Sequence, residues 1–77
     1  MLKNFVEHVV KQLVDEKDAV VVTQRQEESK HIIAIRVATI DLGKVIGKEG
    51  TTIRALRAIV GIVGEQQGYD VVVEVAQ

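Results

Sequence analysis

The chain has 77 residues, enough for one small domain in which each large aliphatic residue supplies a sizeable share of the core. Its composition, 47% hydrophobic and 27% charged, excludes a disordered tail, and the absence of cysteine excludes disulfides and thiolate metal sites. The formal net charge of −1 argues against a protein that holds duplex DNA by bulk electrostatics, because such binding scales with the number of phosphates neutralised.

The first half of the chain predicts one helix followed by two strands. Apolar residues recur at intervals of three and four in the opening segment, which is the pattern of a helix with one buried face. They are Leu2, Phe5, Val6, Val9, Val10, Leu13 and Val14. The β-branched run Ala19 to Thr23 predicts a strand, the polar segment Gln24 to Lys30 a loop, and the alternating His31 to Val37 a second strand. The two strands should form a hairpin, with alternate residues of the second strand facing the core: Ile33, Ile35 and Val37.

The second half predicts two helices joined by a glycine loop. Thr39 and Asp41 offer N-cap oxygens to a short helix that ends at Gly47. Thr51 or Thr52 should cap a second helix, in which apolar residues again repeat at helical intervals. These residues are Ile53, Leu56, Val60 and Val63.

Glycines and a final alternating run complete the pattern. Gly61 and Gly64 should each weaken the second helix by roughly 1 kcal/mol relative to Ala, unless close packing uses them. Gly68 is a candidate C-cap, and Asp70 to Ala76 predicts a last strand. The inward-facing residues of that strand should be Val71, Val73 and Val75.

The order of elements, α-β-β-α-α-β, predicts an α+β fold. Two helices separate the second and third strands, and such a crossover makes these strands parallel neighbours. We therefore expect a three-stranded mixed sheet covered on one face by three helices. The sequence shows no repeat, linker or low-complexity segment, which predicts a single domain over residues 1–77.

The most informative segment is Val45-Ile46-Gly47-Lys48-Glu49-Gly50-Thr51-Thr52-Ile53. A loop whose glycines lack Cβ atoms can turn sharply and let phosphates approach main-chain N–H groups, and the N-terminus of the next helix adds positive partial charge. Around this loop, between Leu42 and Gly64, four cationic side chains stand against one carboxylate, that of Glu49. The cationic residues are Lys44, Lys48, Arg54 and Arg57.

This segment resembles the V-I-G-x-x-G-x-x-I signature of KH domains, in which a tight loop clamps the backbone of about four nucleotides. The order of elements matches the type II KH topology, and the length and the segment Leu42 to Lys48 are similar to the small single-KH bacterial proteins of the KhpA family. The resemblance implies binding of single-stranded RNA and a role as an RNA chaperone or post-transcriptional regulator. The RNA-binding residues that it implies are Lys44, Ile46, Gly47, Lys48, Glu49, Gly50, Thr51, Thr52, Ile53 and Arg54.

The same resemblance implies an aliphatic groove for bases, and the scarcity of aromatic residues argues against folds that stack bases on aromatic rings. Leu42, Ile46 and Ile53 are the groove candidates, and for Ile53 a place in the core is an equal alternative. Glu49 departs from a neutral or basic loop, because its carboxylate partly offsets the charge of Lys48.

The alternative function is that of a protein–protein interaction module with little RNA binding of its own. The resemblance implies a homodimer or a heterodimer with a KH protein of the Jag or KhpB type. A small domain also gains stability by burying surface in a dimer. We expect the pairing surface around Leu42 to Arg57, where it would compete with or extend the RNA site.

Other chemistry is excluded by spacing. A P-loop would need four residues between its first two glycines and a Ser or Thr after the Lys, but only three separate Gly43 from Gly47, and Glu49 follows Lys48. Neither histidine has a companion at metal-ligand spacing. No sequence pattern indicates a catalytic nucleophile or a cofactor-binding pocket, so we expect no enzymatic activity, no cofactor and no metal. No apolar run approaches the ~18 residues of a membrane span, so we expect a soluble cytoplasmic protein with no membrane contact.

Overall fold

The structure, a computed structural model, describes residues 2–76; Met1 and Gln77, the ends of the predicted domain, lie outside the described residues. Its helices and strands are α1 (Leu2–Leu13), β1 (Val21–Glu27), β2 (Lys30–Arg36), α2 (Leu42–Ile46), α3 (Thr51–Gln67) and β3 (Asp70–Ala76). Short 3₁₀ turns lie at Lys17–Ala19, Thr39–Asp41 and Lys48–Gly50. The predicted order α-β-β-α-α-β is confirmed.

The sheet has the order β1-β2-β3, with β1 antiparallel to β2 and β2 parallel to β3. The register places Val22 and Val75 on either side of Ile35, and Val73 beside Ile33. The parallel pair follows from the crossover through α2 and α3, as expected. The predicted α+β class and mixed sheet are confirmed.

Helices cover the face of the sheet that carries the alternating residues of β2. Ile33, Ile35 and Val37 are buried in one cluster with apolar residues of α1, α2 and α3, as predicted. The helical members of the cluster include Leu2, Val6, Val10, Val45, Ile53, Leu56 and Val60. Ile32 points to the opposite face and lies outside this cluster, yet it is buried between its register neighbours Arg25 and Val72.

The hairpin differs from the prediction. β1 continues to Glu27, so most of the predicted loop Gln24 to Lys30 is strand, and the turn between the strands contains only Glu28 and Ser29. The polarity of this segment was misleading, because β1 is an edge strand: all of its seven residues except Val22 are exposed, while its backbone pairs with β2. Polar and charged side chains are a common protection of such edges.

The ends of the helices were only partly predictable. Gly47 ends α2, and Gly68 is the C-cap of α3 with φ +87°, as expected. The N-caps proposed at Asp41 and at Thr51 or Thr52 were wrong: the side chain of Asp41 makes no capping bond to α2, and α3 is preceded by Gly50 rather than capped by a threonine. Thr51 is instead the first residue of α3, and its hydroxyl donates to the carbonyl of Lys48 at 2.9 Å.

Candidate nucleic-acid interface

The loop between α2 and α3 has a backbone that depends on its two glycines. Gly47 has φ +79° and ψ +170°, a region open essentially to glycine alone, and Gly50 is left-handed at φ +75°. An ideal Cβ on Gly47 would lie 2.2 Å from Oγ1 of Thr52 and 2.8 Å from its backbone nitrogen. Thr52 therefore packs beneath Gly47, and any side chain at position 47 would displace the start of α3.

Between these glycines, Lys48 and Glu49 are exposed. The ammonium group of Lys48 has no hydrogen-bond or ion-pair partner among the described residues. Glu49 adopts φ +55° and ψ +27°, a left-handed conformation that few residues other than glycine occupy. The loop thus presents one uncommitted cation beside the N-terminus of the 17-residue helix α3.

Hydrogen bonds fix the loop from both sides. The N–H of Gly47 donates to the carbonyl of Gly43 at 2.8 Å, and the N–H of Gly50 donates to the carbonyl of Gly47 at 3.1 Å. From α3, the guanidinium of Arg54 donates to the carbonyl of Glu49 at 2.8 Å and to that of Gly50 at 3.4 Å. Arg54 was predicted as an RNA contact, and the structure shows it bonded to the loop backbone.

Lys44, also predicted as an RNA contact, has acidic partners. Its ammonium group forms ion pairs with the carboxylates of Asp15 and Asp41, the latter at 3.3 Å. The hydrogen bonds to Asp15 and then to Asp41 raise the pKa of Lys44 above its usual value. Its charge is therefore largely offset within the protein.

Asp41 holds the end of α1 against the start of α2. Its fully buried carboxylate accepts hydrogen bonds from the backbone N–H groups of Glu16 at 2.9 Å and Asp15 at 3.2 Å. These bonds, that of Glu16 first, together with Lys44, lower the pKa of Asp41 below its usual value although burial opposes the shift. The sequence pattern suggested only a helix cap at this position, because contacts 25 and 26 residues apart leave no local signal.

Asp41→Asn should destabilise the fold, because one of the two oxygens that accept from Asp15 and Glu16 becomes an NH₂ donor that faces a backbone N–H, and the charge attraction to Lys44 is lost. We expect the melting temperature at pH 7 to fall by about 5–10 °C. A carboxyl whose folded pKa is depressed stabilises the fold above its unfolded pKa of 3.8 and loses that effect as the pH falls through the folded value. The difference in stability between parent and variant should therefore be constant above about pH 5 and shrink below about pH 4. Melting curves between pH 2 and 8, on the order of one per pH unit, would check this, and a difference that persists undiminished at the acid end would contradict it.

The predicted groove residues divide between core and surface. Ile53 is 6% exposed and belongs to the core, which decides between its two alternatives. Leu42 and Ile46 are partly buried and pack against the core from the loop side, so each retains some exposed apolar surface.

One cation near this surface was not among the predicted site residues. Arg57 lies one turn beyond Arg54 on α3, and its guanidinium donates to the carbonyl of Val73 on β3 at 3.2 Å. β3 is an edge strand, so this contact ties α3 to an unpaired edge of the sheet. The basic character of the segment was visible in the sequence, but the contact with β3 depends on the tertiary fold.

Other kinds of site are not evident in residues 2–76. No helix in this range is long and apolar enough to span a membrane. Nor does the range contain three or more His, Cys, Asp or Glu side chains grouped so that they could bind a metal ion.

Comparisons with known proteins identify the family of the chain. The family model described as KhpA/KhpB, KH domain, matches residues 3–75. A protein of Aquifex aeolicus (strain VF5) named RNA-binding protein KhpA is 46% identical over 76 residues, which cover 99% of this chain and 96% of that protein. A protein of the same name from Streptomyces coelicolor is 47% identical over 83% of this chain and 81% of that protein. Another, from Chlamydia trachomatis, is 36% identical over 99% of this chain and 97% of that protein. No solved structure matches the chain at a comparable level of significance. The chain therefore belongs to the KhpA/KhpB family of KH domains.

Proposed function

We propose that this chain, as a single KH domain over residues 1–77, binds single-stranded RNA in the cytoplasm through the loop Gly47 to Gly50. In this proposal it acts as an RNA chaperone or post-transcriptional regulator together with a partner KH protein. The observation that carries the proposal is the ammonium group of Lys48, which has no partner among residues 2–76 and is held between two glycines of positive φ at the N-terminus of α3. Membership of the KhpA/KhpB family and the name of its relatives, RNA-binding protein KhpA, support it.

The chemistry of the loop suits a phosphodiester backbone. The N-terminus of a helix carries positive partial charge that favours an anion. The N–H groups of Gly50 and Thr51 already donate to the carbonyls of Gly47 and Lys48, so the charge of the helix end acts on the anion together with the other N–H groups of the loop. The side chain of Lys48 adds a full positive charge that no carboxylate of the described residues pairs with. The partly exposed Leu42 and Ile46 supply apolar surface next to the loop, where a base can lie.

The predicted residues then have different roles. Direct contacts with RNA come from Gly47, Lys48, Glu49, Gly50 and Ile46. Four other residues support the loop: Thr51, Thr52, Ile53 and Arg54. Lys44 has a mainly structural role, because two carboxylates offset its charge.

Binding should be weak, dependent on salt and selective for single strands. A loop of this size reaches two or three phosphates, so the slope of log K against log salt concentration should be about −2, from roughly 0.7 per phosphate. Fluorescence anisotropy with labelled oligonucleotides over a series of salt concentrations measures this slope. A slope of about −7, or a preference for a perfect RNA duplex over the matching single strand, would contradict the proposal.

A second candidate function, pairing, is favoured by a different observation. Three of the exposed large apolar side chains lie on the outer surface of α1 and α3: Phe5, Ile59 and Ile62 are 41%, 48% and 58% exposed. Phe5 and Ile59, with Leu2 and Val63, line a shallow groove between the two helices. By contrast, no large apolar side chain from Leu42 to Arg57 is exposed, so we move the proposed pairing surface to α1 and α3.

The occupant that we propose for this surface is a second copy of the chain. Ile59 lies eight residues after the first residue of α3, which is about 12 Å along the helix axis. A dimer through this surface would therefore leave both loops free, and two linked loops raise the effective concentration of RNA at the second one.

Light scattering and native mass spectrometry test the pairing. Ile59→Glu should convert a dimer to a monomer, because it buries a charge in an apolar contact. Ile40→Glu is the matched control, since Ile40 is 71% exposed and does not line the groove. A parent chain that is monomeric at high concentration would refute self-pairing, and complex formation with a KhpB-type KH protein would then identify a different occupant.

A further inference from the structure

The side chain of Arg54 spans the loop rather than extending freely from α3. Its Nη2 donates to the carbonyl of Glu49 at 2.8 Å and its Nε to the carbonyl of Gly50 at 3.4 Å. Both carbonyls belong to residues with positive φ, +55° at Glu49 and +75° at Gly50. One guanidinium thus binds the two consecutive peptide groups whose orientation defines the loop.

The Glu49 peptide group needs a partner that holds it in place. A left-handed conformation is unfavourable for a residue with a Cβ atom such as Glu49, and it persists only when surrounding contacts impose it. A carbonyl bonded to a charged donor is held more firmly than one bonded to a neutral group. Other contacts in the loop fix Gly47, Lys48 and the N–H of Gly50, and among side-chain contacts of the described residues those to the carbonyls of Glu49 and Gly50 come from Arg54. The carbonyl of Gly50, the N-cap of α3, also accepts the first backbone bond of that helix, so the Glu49 peptide group depends most on the guanidinium.

We propose that Arg54 is a positioning residue for RNA binding: it holds the Glu49 and Gly50 peptide groups in the left-handed turn and thereby sets the direction of the loop N–H groups and of the Lys48 side chain. The inference rests on the proposed function, since it assigns Arg54 a role in the same site. This role differs from the simple expectation that Arg54 binds an RNA phosphate directly. In the present geometry the affinity that Arg54 contributes comes from loop order rather than from its own contact with RNA.

Three variants separate positioning from charge. Arg54→Ala removes both the hydrogen bonds and the charge, whereas Arg54→Lys keeps the charge and cannot make the two-point contact. Arg57→Ala is the matched control, because it removes the same charge one turn further along α3 and leaves the loop bonds intact. Both positions, Arg54 and Arg57, are exposed on α3, so each of the three variants should remain folded.

RNA binding is measured with an unstructured single strand of roughly ten nucleotides, which exceeds the about four that a KH loop holds. Arg54→Ala should weaken binding about tenfold, which corresponds to the loss of about one charge-assisted hydrogen bond. Arg54→Lys should weaken it almost as much, and Arg57→Ala no more than about twofold. The salt slope of Arg54→Ala should equal that of the parent, because no phosphate contact is lost. A slope reduced in magnitude by about 0.7, with affinity restored by Arg54→Lys, would overturn the proposal in favour of a phosphate ligand.

The loop itself is observed without RNA by amide hydrogen exchange and ¹⁵N relaxation. Arg54→Ala should increase motion and exchange at Lys48, Glu49 and Gly50 while the amides of β2 and the melting temperature stay as in the parent. Unchanged loop amides in Arg54→Ala would overturn the inference. If the parent fails to bind RNA, the proposed function fails, yet the amide measurements still decide whether Arg54 orders the loop.

Discussion

Lys48→Asp combined with Glu49→Asp should abolish RNA binding and leave the fold intact. The double variant reverses the charge of the unpaired cation at the phosphate contact and keeps a carboxylate beside it. We expect affinity for single-stranded RNA to fall by more than about 30-fold, since Lys48 supplies one of only two or three phosphate contacts and its replacement adds repulsion. Both residues are exposed, and aspartate tolerates a left-handed backbone better than most residues, so stability should change little.

The matched control places the same two substitutions elsewhere. Lys3→Asp with Glu65→Asp gives an identical change in net charge at exposed positions of α1 and α3 that lie outside the loop. It should bind RNA nearly as the parent does. Thermal melting by circular dichroism verifies folding of both variants, and anisotropy gives the affinities. Undiminished binding by the loop variant would show that this loop is not the RNA clamp.

Gly64→Ala should be strongly destabilising although alanine favours helices. Gly64 is buried in α3 where the helix lies against the start of β3. A Cβ atom there would lie 2.6 Å from Cγ2 of Val71 and 2.8 Å from the carbonyl oxygen of Tyr69, and the second of these is backbone that cannot turn aside. Overpacking of this kind costs about 1–3 kcal/mol and should lower the melting temperature by roughly 5–15 °C.

Gly61→Ala is the control for the Gly64 prediction, because a Cβ atom on Gly61 would meet nothing within 4 Å. It should stabilise the protein by about 0.5–1 kcal/mol through helix propensity alone. Chemical denaturation of the two variants and the parent measures both effects. Equal stability of Gly64→Ala and the parent would mean that α3 and β3 can separate at no cost, contrary to the close packing seen here.

Several features of the fold were predictable because their signals are local. The periodicity of α1 and the alternation of β2 and β3 identify which side chains are buried, and Ile33, Ile35 and Val73 are indeed among the least exposed. The loop between Gly47 and Gly50 was likewise recognisable from its glycines. The KH-domain family to which the chain belongs is not enzymatic, which confirms the prediction of no enzymatic activity.

Other features could not be predicted, because they depend on contacts between distant segments. The polar residues of β1 suggested a loop, and only pairing with β2 makes them a strand. The sequence likewise could not show which of the two glycines of α3 is needed for packing, because only the approach of β3 leaves no room for a Cβ atom at Gly64 while leaving room at Gly61.

The sequence by itself determined the order of elements, the glycine loop and the basic character of the segment around it, because each depends only on which residues occur and how they are spaced along the chain. Only the tertiary structure decided what the cations of that segment do. Within the described part of the chain Lys48 has no partner, Lys44 forms ion pairs with Asp15 and Asp41, and Arg54 donates to the loop backbone. The physical reason is that a cation's availability depends on which carboxylates and carbonyls surround it in space, and folding brings Asp15 to Lys44 across 29 positions of the chain.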